Sequence, residues 1–322
     1  MEGGGVPKIL LNSGHRMPVL GMGTASFPIS PQHLVKSSIL TAIELGYTHF
    51  DTASVYETEP TLSRAIRQAL EGRHIASRDQ LFITTKLWCG QAQSDLVVPA
   101  LRESLQELGL DYVDLYLIHF PARFKCVEKT FNVTKEDLLP LDMKGTWQAM
   151  EECCKLGLAK SIGVSNFSCK KLSQILTFAT IPPAVNQVEM HPLWQQRKLR
   201  EFCKEKGIHV SAYSPLGGKG AKWGSNAVFE CEEIKQIAEA KGKSLAQICL
   251  RWAFEQGVSF VPKSFNKERL KENMEIYGWE LSKEELQKLS VLPQCRIFKG
   301  EWLVSADHGV FKSVEDLWDG EI

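Results

Sequence analysis

Short runs of apolar β-formers alternate along this chain with longer stretches whose apolar residues recur every three or four positions. The first pattern predicts strands and the second amphipathic helices. Lys8 to Leu20, KILLNSGHRMPVL, carries two short apolar runs around an Asn-Ser-Gly turn, which predicts a hairpin. It runs into LGMGT. The beat then settles: helix near Pro31 to Leu45, strand Tyr47 to Phe50, helix near Glu59 to Leu70, strand Leu81 to Leu87, helix near Asp95 to Leu108 and strand Val113 to His119. Phe120 to Leu141 reads as an irregular insert, followed by a helix near Met143 to Leu156. The second half predicts strand Ala159 to Asn166, helix Lys170 to Phe178, strand Ala184 to Met190, helix Gln196 to Lys206 and a strand in IHVSAYSPLG. A Gly-rich loop, Gly217 to Asn226, precedes helices near Glu230 to Lys241 and Ser244 to Gln256. Strand Val258 to Ser264 and helices near Lys267 to Ile276 and Lys283 to Leu289 complete the alternation. A tail with aromatics at Phe298, Trp302, Phe311 and Trp318 shows no periodicity.

Counting LGMGT, eight strands alternate with about eight helices and no flexible linker interrupts them. Alternation implies a parallel sheet, and eight units close it into one α/β domain over residues 1–322, a (β/α)₈ barrel with an N-terminal hairpin and an extended C-terminal loop. A doubly wound nucleotide-binding fold is the rival. Gly21-Met22-Gly23 begins its glycine fingerprint, but Ser26 stands where the third glycine belongs. Gly242-Lys243-Ser244 imitates the end of a phosphate loop, yet Ile237 replaces its first glycine.

Composition narrows the function classes. With 38 basic and 38 acidic residues there is no electrostatic footprint for nucleic acid or an anionic membrane. No apolar run approaches a membrane span, and MEGGGVPKILL lacks the pattern of a secretory leader. Nine cysteines, none spaced Cys-x-x-Cys, fit free thiols in a reducing compartment, so a cytoplasmic protein is expected. The sequons at Asn132 and Asn166 carry no weight in that setting. No His pair or His-Cys set has ligand spacing, so no metal is expected, and no Gly-x-Ser-x-Gly elbow marks a hydrolase.

What the strands end in is more informative. In order the ends carry Asp51, Lys86, His119, Ser165-Asn166, Gln187, Tyr213-Ser214 and Lys263-Ser264, which places a polar ring on one rim. Strands buried on both faces otherwise end in apolar or turn residues, and barrels of this kind keep their chemistry at that rim. Asp51, Tyr56, Lys86 and His119 form a chemically coherent set. An ammonium beside a phenol favours the phenolate, so Lys86 is expected to lower the Tyr56 pKa, with Asp51 holding Lys86 and His119 offering a second donor. Each also has a plainer reading: Asp51 as a cap, Tyr56 as a loop aromatic, Lys86 and Asp51 as a structural ion pair, His119 as a core histidine.

In the settings FDTAxxYxTE, FITTKLW and DLYLIHFP, these four residues resemble the catalytic tetrad of the aldo-keto reductases. LGMGT, IGVSNF, VNQVEMHP, AYSPLG and VPKSFNKERLKEN extend the resemblance over nearly the whole chain. LPLDMKGTWQAMEEC, SNFSCKKL and WELSKEELQKLS resemble most the plant branch of chalcone and codeinone reductases. The resemblance implies NADPH-dependent reduction of a ketone or aldehyde, with Tyr56 the proton donor. It implies Tyr213 stacked on the nicotinamide, and Ser165, Asn166 and Gln187 on its carboxamide. Lys263, Ser264 and Arg269 would take the 2′-phosphate, and Glu272 and Asn273 the adenine, with Gly23, Thr24, Asp51, Ser214, Leu216 and Phe265 also lining the cofactor. Without the resemblance, KSFNKERLKEN reads as a solvated helix start.

A substrate pocket is expected from Ala25, Phe27, Val55, Trp88, His119, Phe120, Trp223, Trp302 and Leu303, with Trp194 a further candidate; aromatic walls suit a bulky apolar carbonyl. Ala25 and Phe120 stand where many relatives have tryptophan, which implies a wider mouth. The expected substrate is a small-molecule ketone of plant specialised metabolism, reduced by a monomeric enzyme. A broad aldehyde-detoxifying reductase, a cofactor-binding regulator without turnover, and a lyase using Lys86 as a Schiff base are the alternatives.

Overall fold

The computed structural model describes residues 5–126, 128–131, 133–221, 223–307 and 310–322. β1 (Lys8–Leu10) and β2 (Arg16–Pro18) form the expected antiparallel hairpin, turned by Gly14 at φ 84°. Then follow β3 (Met22–Gly23), α1 (Gln32–Glu44), β4 (His49–Asp51), α2 (Glu59–Glu71), β5 (Phe82–Leu87), α3 (Val97–Leu108) and β6 (Val113–Ile118). The insert is not wholly irregular: β7 (Arg123–Phe124) and β8 (Leu138–Leu139) pair antiparallel within it. The expected sequon at Asn132 lies outside the described residues. The alternation resumes with α4 (Met143–Lys155), β9 (Ala159–Ser165), α5 (Cys169–Leu176), β10 (Val185–Glu189), α6 (Arg197–Glu205) and β11 (His209–Tyr213). α7 (Ala227–Glu230), α8 (Glu232–Lys241) and α9 (Leu245–Glu255) lead to β12 (Ser259–Phe260), α10 (Lys267–Met274) and α11 (Lys283–Ser290). α12 (Val314–Leu317) lies in the tail.

Among the described residues, eight parallel strands run in the order β3, β4, β5, β6, β9, β10, β11, β12. The seam between the two outer strands is closed by Gly21 N–H to Phe260 O at 2.9 Å, Phe260 N–H to Val19 O at 2.8 Å and Gly23 N–H to Pro262 O at 3.1 Å. The sheet is therefore a (β/α)₈ barrel. β12 is shorter than the sequence predicts, because Pro262 cannot donate to a neighbouring strand.

Period-two alternation decides what each strand end presents. Phe50, Ile83, Tyr116, Ile162, Val188 and Ala212 pack outward into the large core beneath the helices. The positions between them point inward. At the amino-terminal end Phe82, Leu115, Leu117 and Val185 meet Leu11 and Met17 of the hairpin, which plugs the barrel. One layer up, His49 Nε2 meets Thr84 Oγ1 at 3.1 Å. The next inward positions are Asp51, Lys86, His119, Ser165 and Gln187. The ring of polar strand ends is thus the top layer of a filled barrel. Ser244, which imitates a phosphate loop in the sequence, instead caps α9 in a reciprocal box with Gln247.

Candidate active site

Lys86 is buried at the end of β5, and its Nζ donates to Asp51 Oδ1 at 2.5 Å and to the Thr52 carbonyl at 2.9 Å. Asp51 Oδ2 accepts from Gln187 Nε2 at 2.7 Å. The carboxylate is therefore pinned from two strands, which compensates the burial of the ion pair. Tyr56 follows on a short 3₁₀ turn, Ser54–Tyr56, whose next residue, Glu57, takes a left-handed φ of 58°. Its hydroxyl lies 3.1 Å from His119 Nε2, and Lys86 Nζ lies 4.9 Å from its ring centroid. The four residues singled out in the sequence are brought together.

One electrostatic expectation fails. Lys86 does not lower the Tyr56 pKa here: burial, then the charge of Asp51, then Tyr213 push the phenol well above its usual 10. The ammonium is spent on Asp51, and burial pulls its own pKa down. The phenol consequently holds its proton, the form needed to donate one. Burial, and then the Lys86 charge, keep His119 well below 6.5, so it is neutral. Buried His119 Nδ1 and Trp88 Nε1 have no hydrogen-bond partner among the described residues. Left unmet, such groups cost about 1–3 kcal/mol each.

The candidate cofactor residues follow the ends of β3, β4, β9, β10, β11 and β12. Ser165 Oγ donates to the Gln187 carbonyl at 2.8 Å; Asn166 donates to the His119 carbonyl at 3.0 Å and accepts from the Tyr213 hydroxyl at 2.8 Å. Asn166 and Ser214 both hold left-handed backbones, at φ 66° and 47°. Non-glycine residues in that region carry strain and cluster at functional sites. Lys263 and Arg269 sit close enough for Arg269 to depress Lys263, after burial, and neither has a carboxylate partner among the described residues. Two neighbouring cations without a counter-charge beside the start of α10 suit a phosphate dianion. These residues fit an NADP nucleotide. Two assignments fit less well. Thr24 Oγ1 is engaged with the Asp51 carbonyl and Thr58, and Asn273 is 3% exposed. Glu272, Leu216 and Phe265 are half-buried, within reach of a ligand.

Above Tyr56 lies an aromatic mouth. Trp302 stacks on Trp88 with centroids 6.0 Å apart and 15° between planes, and meets Phe120 edge-on at 5.3 Å. Phe27 approaches Tyr56 at 6.4 Å and Trp223 at 5.6 Å. Val55 and Leu303 are buried in the same cluster, and Ala25 is half-buried at the end of β3. Trp194 does not belong there; its ring lies under the Arg296 guanidinium at 4.9 Å. Sequence reasoning missed three rings. Phe131, from the insert, stands 4.7 Å from Trp88 and 4.9 Å from Phe27, Phe124 packs 5.9 Å from Trp88, and Phe298 lies 5.8 Å from Phe120. The density of aromatics in both non-periodic segments was their signal.

A sequence model described as the aldo/keto reductase family matches residues 19–292. The chain is 55% identical to the 7-acetyl-epi-neemfruitin B aldo-keto reductase of Melia azedarach, covering 98% of each. It is 55% identical to deoxymugineic acid synthase 1-D of Triticum aestivum, over 95% of this chain and 97% of that one. Protein REDOX 2 of Catharanthus roseus is 52% identical over 98% of each. Among solved structures, the Bombyx mori aldo-keto reductase in complex with NADP superposes with a TM-score of 0.80 at 36% identity, covering 91% of this chain and 95% of that one. The Schistosoma japonicum aldose reductase gives 0.85 at 33%, covering 92% and 96%. With its barrel, its polar rim and a family match across most of its length, this chain belongs to the aldo/keto reductase family.

Proposed function

We propose that this aldo/keto reductase uses NADPH to reduce a bulky, largely apolar ketone, with Tyr56 as the proton donor. The observation that carries it is the Tyr56 hydroxyl 3.1 Å from His119 Nε2, above a Lys86–Asp51 pair at 2.5 Å. The bound dinucleotide supplies the hydride. The chain's own residues do the rest. Tyr56, kept protonated by burial and the Asp51 charge, gives its proton to the substrate oxygen as negative charge develops there. Neutral His119 orients that oxygen, and Lys86, fixed by Asp51, faces the phenolate left behind. Lys263 and Arg269 recognise the 2′-phosphate, which favours NADPH over NADH.

The substrate class rests on the mouth. Phe27, Phe131 and Trp302 present partly exposed rings with few polar handles, backed by the buried Trp88 and Phe120, which suits a large apolar carbonyl. Relatives named for 7-acetyl-epi-neemfruitin B and (1S)-1,7-diacetoxy-luvungin A point to dedicated substrates rather than general aldehydes. Monomeric action in the cytoplasm belongs to the same reading, and the nine free cysteines suit a reducing compartment.

NADPH consumption followed by absorbance with benzil, a diaryl diketone, and with propanal tests it. The expected result is a kcat/KM for benzil at least about tenfold higher. Equal or reversed values favour the aldehyde-detoxifying alternative, and no consumption with either favours the regulator.

A further inference from the structure

Glu189 ends β10 two residues beyond Gln187, yet it takes no part in the ring around Asp51. At 1% exposure it accepts backbone N–H bonds from Ile297 and Phe298, each at 2.9 Å, and pairs with His191 Nε2 at 2.9 Å. A buried carboxylate saturated in this way fixes the place where the tail leaves the barrel. The tail then crosses the mouth with Trp302 and Leu303, and comes back to its own base. Trp318 Nε1 donates to the Lys299 carbonyl at 2.8 Å, and the Arg296 guanidinium lies 3.7 Å over the Trp318 ring.

That base is clamped to the barrel by charge. Asp319 accepts from Lys171 Nζ and Ser168 Oγ, both at 2.5 Å, with Lys170 at 3.2 Å. Glu321 accepts the Cys169 N–H at 3.2 Å and lies 3.7 Å from Lys198. Ser168 and Cys169 open α5, so both carboxylates sit at the positive end of a helix dipole. Lys171 also donates to the Leu317 carbonyl at 2.7 Å. The tail joins no strand of the barrel sheet among the described residues, so these anchors bear its position.

We propose that Asp319 and Glu321, docked on the start of α5, form a carboxylate clasp that positions Trp302 and Leu303 against Trp88 and so sets the preference for large apolar carbonyls. They act through the tail as positioning residues, and the inference rests on the bulky-ketone reading above.

The test compares the full-length Asp319→Ala/Glu321→Ala variant with the wild type at saturating NADPH. The KM for benzil should rise about tenfold while kcat/KM for propanal stays within about twofold. Asp319→Glu, which restores a carboxylate, should keep the wild-type values. Amide hydrogen exchange from Ile297 to Leu303 should accelerate in the double variant. An unchanged benzil KM, or an equal loss on both substrates, overturns the clasp. A wild type that reduces neither carbonyl defeats the functional reading alone. In that case faster exchange confined to the tail upholds the clasp, and unchanged exchange overturns it.

Discussion

Tyr56 carries the chemistry proposed here because its surroundings hold the proton on it until an oxygen arrives to take it. Tyr56→Phe removes the hydroxyl and leaves the ring packing beside Phe27 in place. Its kcat should fall by about 10²–10⁴, the usual contribution of a positioned acid, while NADPH affinity, read by fluorescence titration, stays near wild type. A variant with wild-type kcat would remove Tyr56 from the role. At this scale the sequence was legible where residue type and strand position coincide: Asp51, Lys86 and His119 each end a strand at an inward position. The direction of the Tyr56 shift was not legible. It depends on how much charge Lys86 has left after meeting Asp51 at 2.5 Å and the Thr52 carbonyl at 2.9 Å, and that is a matter of distance.

Among the elements, α10 ties sequence to cofactor most directly. Asn266 accepts the Arg269 N–H at 2.9 Å and caps the helix, and Ser264 Oγ accepts the Asn266 N–H at 3.2 Å. Asn266→Ala should lower stability by about 1 kcal/mol, seen as a reduced Tm. The freed first turn should also raise KM for NADPH more than for NADH. An equal rise for both would separate the cap from phosphate recognition. The longer helices and the central strands were read to within a residue or two because their apolar periods are long and regular, whereas the four-residue α7 and α12 went unread. The hairpin of β7 and β8 and the bridge between Val304 and Phe311 escaped because pairs this short leave no period to read. Phe131 and Phe298 escaped with them, placed by segments whose course is set by tertiary contacts alone.

For the molecule as a whole, pH dependence follows from buried histidines. Burial lowers His49 and His209 to about 4, and His119 well below its usual value, against about 6.5 in an unfolded chain. Between pH 6.5 and 4 the unfolded state therefore binds more protons than the folded one. The stability these groups contribute is present above pH 6.5 and lost as pH falls through that window. Glu59, raised by burial, acts in the opposite sense but is one group against three. Tm measured from pH 7.5 to 4.5 should decline toward acid, and a flat profile would contradict the burial of these rings. The barrel and its closure were both legible as eight alternations; the contacts that make the closure were not, because the short outer strands meet through Val19, Gly21 and Phe260.

That seam has a consequence for how the enzyme endures heat. Where β3 and β12 meet, the wall is two residues long on each side, and the proposed nucleotide residues straddle it, Gly23 on one bank, Lys263 and Ser264 on the other. A dinucleotide lying across would rivet the join, so the same protein would withstand warming better in a cell rich in its coenzyme than in one depleted of it.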